Sequence, residues 1–140
     1  MLRLTATIRL ALFLALAACL GYVTGAIGDT TRQSPQRDSI ASVSLADLPP
    51  EAIATLRLIQ RGGPFPYPHK DGSTFNNFEK RLPPQIRGYY REYTVPTPGR
   101  RDRGARRLIA GMGPRGDVGT SGEYYYTEDH YRHFRRIIQP

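Results

Sequence analysis

The sequence predicts an α+β domain: one N-terminal helix packed on a short-stranded antiparallel β-sheet. Two observations carry this reading. A single stretch, from Leu48 to Arg61, has helical apolar spacing framed by helix-start and helix-stop residues. The chain beyond it reads as short strands, rich in aromatic and β-branched residues, separated by Gly and Pro. One helix ahead of several strands joined by tight turns suits a helix on one face of an antiparallel sheet.

The helix comes first. Pro49-Pro50-Glu51 has the composition of a helix N-terminus, since Pro needs no N–H donor there and Glu51 suits the positive end of the dipole. Leu48, Ile53, Leu56 and Ile59 recur at roughly helical spacing. Gly62-Gly63 ends the helix and Pro64 prevents its resumption. Turns come next, at 64–68 and at Asp71-Gly72. Residues 88–95, GYYREYTV, read as a strand, and 96–99 as a turn. Further strands are expected at 106–110, 124–127 and 133–138. Residues 112–123 contain four Gly and one Pro, which predicts a mobile loop.

The domain is placed at 43–140. Residues 1–26 read as an export signal, with Arg3 and Arg9 ahead of an apolar run from Leu10 to Leu20. That run is about half the ~20 residues a spanning helix needs. Two processing sites compete. Leu16-Ala17-Ala18-Cys19 resembles a lipobox, which would leave Cys19 lipidated and the protein attached to a membrane; Thr24-Gly25-Ala26 suits ordinary cleavage and release. An uncleaved anchor is a third alternative. Residues 27–42 are polar and aperiodic and read as a flexible linker. Cys19 is the sole cysteine, so no intramolecular disulfide can form, and its place in the export segment excludes it from catalysis.

The formal net charge is +8, and residues 80–140 hold thirteen basic against six acidic side chains. A basic half-domain suits a polyanion, nucleic acid first and anionic membrane second; a merely soluble basic surface is the bland alternative. Only Lys70 and Lys80 are lysines. Arginine favours phosphate, because its fork binds oxyanions bidentately.

Strand alternation puts Tyr90, Glu92 and Thr94 on one face and Tyr89, Arg91, Tyr93 and Val95 on the other. Glu92 is thus either a sheet-surface carboxylate paired with an Arg or a general base held among arginines. Arg106 and Arg107 precede Leu108-Ile109 directly, so one of them should point inward or into a cleft. His130 lies beside Glu128 and Asp129, carboxylates able to tune it for proton donation near neutrality. His69 and His133 offer less, and none of the three histidines has metal-site spacing.

Beyond these single residues, ordered blocks run from Leu48 to Ile138: LPPEA at 48–52, TLRLI at 55–59, GGPFPY at 62–67, DGSTFNNFE at 71–79, LP at 82–83, GYYREYTVPTPG at 88–99, RGARRLIAG at 103–111, YYTEDHY at 125–131, and Phe134. Over some 90 residues they resemble the small secreted guanyl-specific ribonucleases, the group that includes barnase and the fungal enzymes, and most closely its bacterial single-helix branch.

The resemblance implies a metal-independent endoribonuclease, without cofactor, acting as a monomer on single-stranded RNA. A 2′-hydroxyl attacks phosphorus to give a 2′,3′-cyclic phosphate, which is hydrolysed to a 3′-phosphate. Glu92 matches the general base and His130 the general acid. Arg107, supported by Arg103, matches the cations that stabilise the phosphoryl group. Base selection maps onto Phe75, Asn76, Asn77, Phe78 and Glu79. The Glu79 carboxylate would accept from guanine N1–H and the exocyclic amine, backbone N–H groups would donate to O6, and Phe75 and Tyr131 would stack on the base. For Phe75 and Phe78, core packing is the alternative. Relatives also imply a barstar-like protein inhibitor. A catalytically silent module holding RNA or an anionic surface is the competing function, though it has no need of an acid–base pair.

Three departures stand out. Phe78 replaces a residue that is polar or basic in many relatives of the branch, which bears on guanine preference. The loop at 112–123 is longer than usual and is expected to alter access near His130. Ser44 stands where the branch often has a disulfide cysteine, and losing such a crosslink typically costs about 2–5 kcal/mol.

Overall fold

Pro50 starts the helix because its ring fixes φ and its missing N–H would have had no partner. The computed structural model, which describes residues 39–140, places this helix, α1, at Pro50–Arg61, with Pro49 as N-cap. Glu51 in the first turn and Arg61 in the last complement the dipole. Gly62 closes α1 at φ 78°, its N–H donating to the Ile59 carbonyl while Gly63 N–H donates to Leu58. That left-handed closure is why glycine stands at this position. The export segment and most of the 27–42 linker lie outside the described residues.

Six strands form one sheet: β1 (Ala41–Ser44), β2 (Ser73–Thr74), β3 (Tyr90–Thr94), β4 (Arg107–Gly111), β5 (Tyr124–Thr127) and β6 (Arg135–Ile138). Their order is β1-β6-β5-β4-β3-β2. Strands β3 to β6 fall where the sequence predicts strands, with ends shifted by up to two residues. The sheet is antiparallel except that β1 pairs parallel with β6, Ser44 opposite Ile138. β1 starts at Ala41, inside the segment read as linker. Only Val43 in it is buried, so no alternating apolar pattern marks it. Ser44 also accepts a 3.3 Å hydrogen bond from Ala46 N–H, capping the 3-10 turn Leu45–Asp47.

Apolar side chains are buried on both faces of the sheet. On one face α1 presents Ala52, Leu56 and Ile59 to Tyr93, Val95, Leu108, Ala110, Tyr124, Tyr126 and Ile137. Each fully buried aliphatic side chain contributes about 1.5–3 kcal/mol. A second, smaller cluster of Leu82, Tyr90, Ile109, Tyr125 and Phe134 covers part of the opposite face. Beside it, the Glu123 carboxylate accepts hydroxyl hydrogen bonds from Tyr89 at 2.6 Å and Tyr125 at 2.9 Å. The rest of this second face is left for the site.

The loop at 112–123 departs from expectation. It is pinned rather than loose: the Asp117 carboxylate accepts from Gly119 N–H and Thr120 Oγ1, and Tyr124 Oη donates to the Val118 carbonyl at 2.7 Å. Gly119 lies so close to the end of α1 that a Cβ there would stand 3.2 Å from the Gln60 carbonyl. The loop joins β5 at its start, whereas His130 comes after the end of β5. The extra length therefore packs against the helix side and does not border His130.

Candidate active site

The uncovered part of the second face is where β3 and β4 place their polar side chains. Tyr90, Glu92 and Thr94 share this face, and Thr94 pairs with Arg107 across the β3–β4 ladder. Arg107 therefore lies diagonally beside Glu92. Of the two adjacent arginines, Arg107 points inward with 4 % exposure, while Arg106 reaches Glu51 of α1 at 3.6 Å.

Arg107 is held by the turn before β4. Its Nη1 donates to the carbonyls of Arg103, Gly104 and Arg106 at 3.3, 2.9 and 2.8 Å. Its Nε is buried and has no hydrogen-bond partner. A buried N–H without an acceptor costs about 1–3 kcal/mol.

Glu92 is largely covered, with Oε2 accepting from the Tyr131 hydroxyl at 2.7 Å and Oε1 facing Arg103 Nη2 at 3.5 Å. Arg103 is steadied by Thr94, whose Oγ1 accepts from its Nε and Nη2 at 2.9 and 2.8 Å, and by the ring of Tyr67 beneath its guanidinium. Burial, and then the hydrogen bond to the Glu92 carboxylate, push the Tyr131 hydroxyl up to about 12. It stays protonated, and a donor, throughout the neutral range.

The 75–79 segment is bent into place by its neighbours. Phe75 N–H donates to the Tyr90 carbonyl at 2.9 Å. Asn77 is left-handed at φ 50° and clamps Leu82 from both sides, its amide donating to the Leu82 carbonyl and its Oδ1 accepting from Leu82 N–H. Asparagine tolerates this backbone conformation, which suits it to the turn. A cleft of about 270 Å³ is lined by residues 74–79, Arg81, Glu92 and Tyr131. The six residues assigned to base selection thus meet the carboxylate Glu92 in one cavity. The two phenylalanines sit differently. Phe75 is half-buried, packing on Tyr131 and Phe134 at 5.2 and 5.9 Å between ring centroids. Phe78 is 87 % exposed and takes no part in the core.

His130 does not line this cleft. It stands exposed beyond Tyr131, the ring centroids 5.1 Å apart, with a left-handed backbone at φ 60° and its N–H donating to the Ala105 carbonyl at 3.3 Å. The expectation that Glu128 and Asp129 tune its ring is not met. Glu128 pairs with Arg135, and Asp129 pairs with His133. The physical reason is the turn itself. Left-handed backbone at both His130 and Tyr131 sends the chain back so that Asp129 faces residues 132 and 133. Burial opposes ionisation of Asp129, but the His133 ring, the His133 N–H and Thr127 together hold its carboxyl down at about 2.

Sequence reasoning passed over Thr94, which orients Arg103, and Arg81 in the cleft wall, and it gave Asp129 to the His130 ring when that carboxylate instead ties the turn that carries His130. Thr94 had a visible signal, its place on the face of Glu92; Arg81 had none. Among the described residues no group of three or more His, Cys, Asp or Glu side chains is placed to hold a metal ion.

The ribonuclease family profile matches residues 31–138. The chain is 56 % identical over 96 residues to guanyl-specific ribonuclease St of Saccharopolyspora erythraea, covering 69 % of this chain and 86 % of that protein. It is 51 % identical over 102 residues to guanyl-specific ribonuclease Sa of Kitasatospora aureofaciens, covering 73 % and 98 %. Among solved structures, ribonuclease Sa2 with guanosine-2′-cyclophosphate superposes with a TM-score of 0.61 at 44 % identity, over 71 % of this chain and 97 % of that one. Sa2 has also been solved in complexes with mononucleotides, with a TM-score of 0.62. Sheet, helix and sequence agree, and the chain belongs to the microbial guanyl-specific ribonuclease family.

Proposed function

We propose that this protein cleaves single-stranded RNA on the 3′ side of guanosine, with Glu92 as general base and His130 as general acid. The observation that carries this reading is the meeting of Glu92 with the 75–79 segment in one cleft. Glu92 takes the proton of the guanosine 2′-hydroxyl as that oxygen attacks phosphorus. His130 gives a proton to the departing 5′-oxygen, leaving a 2′,3′-cyclic phosphate. In the second step the roles reverse: His130 takes a proton from water and Glu92 returns one to the 2′-oxygen, yielding a 3′-phosphate. Arg107, buried on the face of Glu92, and Arg103, beside its carboxylate, stabilise the charge that builds on the phosphoryl oxygens. Glu79 accepts from the guanine Watson–Crick edge, with Asn76, Asn77 and Phe78 completing the loop and Phe75 and Tyr131 contacting the base. The nucleophile belongs to the substrate, which confines the reaction to RNA and gives a metal no necessary part.

The test is incubation of the protein with the dinucleotide GpC in EDTA. The expected product is guanosine 2′,3′-cyclic phosphate, and Glu92→Gln and His130→Ala should each lower kcat/KM by about 100-fold or more. Intact GpC with the unmutated protein would overturn the reading.

Export fits the same function. The N-terminal segment would direct the enzyme out of the cell as a monomer, either released after Ala26 or held by a lipid on Cys19. A barstar-like inhibitor presenting acidic residues to the basic face would protect the producer. Mass spectrometry of the mature N-terminus separates the two export routes.

A further inference from the structure

On the far side of the 75–78 segment lies a second, larger groove of about 660 Å³. That volume is within the range of about 300–1,000 Å³ usual for small-ligand sites. Its exposed apolar surface comes from Phe78 and Ile86, which are 87 % and 80 % exposed. Lys80 and Arg87 supply positive charge, Gln85 an amide, and no acidic side chain lines it. Neither Lys80 nor Arg87 forms an ion pair with a described residue. Apolar platforms beside unneutralised cations are the composition of a single-stranded nucleic-acid track, where bases stack and phosphates meet charge.

The groove adjoins the candidate active site across the 75–78 segment, which walls both. Strand β3 sets the direction. Tyr90 lines the groove, Glu92 lies in the middle of the strand, and Thr94 at its end meets Arg103. Residues two apart along a strand are separated by about 7 Å. The groove and the arginine end therefore lie on opposite sides of Glu92. His130, bonded to Ala105 beyond Arg103, is also at the arginine end. The leaving nucleoside departs there, so the groove faces the 5′ side.

We propose that this groove is a subsite for the nucleotide on the 5′ side of the scissile guanosine. Its base rests on Phe78 and Ile86, and the phosphate joining it to guanosine meets Arg87. The assignment rests on the proposed ribonuclease function. It makes Phe78 a two-sided wall, with one edge on the guanine cleft and its outer face on the neighbouring base. Asn77 and Lys80, both left-handed, and the Lys80 N–H to Asn77 carbonyl bond of 2.9 Å hold Phe78 outward in advance of binding.

The experiment compares kcat/KM for GpC, UpGpC and GpCpU, with the unmutated protein and with Ile86→Ser and Arg87→Gln. Both variants replace exposed side chains outside the cleavage machinery. UpGpC should be cleaved roughly tenfold more efficiently than GpC, the size expected of one stacked base. Ile86→Ser and Arg87→Gln should each remove most of that gain while leaving GpC cleavage unchanged. GpC left intact by the unmutated protein would sink the proposed function itself. GpC cleaved with no gain for UpGpC, or a gain that both variants retain, would overturn the subsite alone. A gain confined to GpCpU would place the track on the opposite side and equally refute it.

Discussion

The hydroxyl of Tyr131 donates to Oε2 of Glu92 at 2.7 Å, so the carboxylate is aimed from one side by a phenol and from the other by Arg103. Tyr131→Phe keeps the ring beside Phe75 and removes only this bond. The carboxylate is then free to turn toward Arg103. We expect kcat to fall roughly tenfold, the scale of one hydrogen bond to a charged group, with KM little changed. Steady-state kinetics on GpC check this. A rise in KM at constant kcat would show that Tyr131 serves the base alone.

Arg107→Lys keeps the charge and loses the fork. Its Nη1 bonds to three carbonyls of the 103–106 turn and its unpartnered Nε both disappear. A lysine ammonium cannot satisfy that turn and face a phosphate together. The expected loss is about 100-fold in kcat/KM. The expected fall in unfolding free energy is about 1 kcal/mol, read from urea denaturation.

Asp129→Asn tests the turn that carries His130. The native carboxyl sits at about 2 against 3.8 for the free side chain, so it is ionised in both states near neutrality. A lowered folded-state pKa contributes stability present above the unfolded value and lost as pH falls through the folded one. The window is therefore about pH 4 down to about pH 2. After allowance for partial exposure, the contribution is about 1 kcal/mol. Urea denaturation should find the variant less stable by that amount at neutral pH, with the gap closing as pH falls through the window. A gap independent of pH would mean that the ionised carboxylate is not what holds the turn.

Much of this was legible in the chain, and the gaps have physical causes. Helix α1 announces both its ends through Pro50 and Gly62. Strand β3 declares itself through its aromatic and β-branched content, and the two-residue period of a strand then sets Glu92 on the face of Tyr90 and Thr94. That period aimed Glu92 correctly, and the Arg106-Arg107-Leu108 order foretold that one arginine turns inward. Strand β1 was hidden because its partner, β6, lies almost a hundred residues further on and only Val43 carries an apolar signal. The 112–123 loop misled because glycine content reports conformational permission, while Gly119 is there for close packing on α1. The partners of His130 were misread because adjacency in sequence says nothing about which way a left-handed pair turns the chain.

The pairing of Ser44 with Ile138 joins the two ends of the described domain by backbone hydrogen bonds and a serine cap, where relatives of the branch often use a covalent bridge. From Ser39 onward there is no thiol that can be oxidised to a crosslink or reduced out of one. Glutathione and thioredoxin have nothing in this fold to act on. The same native state is therefore open to it in a thiol-rich cytosol and in an oxidising extracellular medium, and a change of redox environment neither arms nor disarms it.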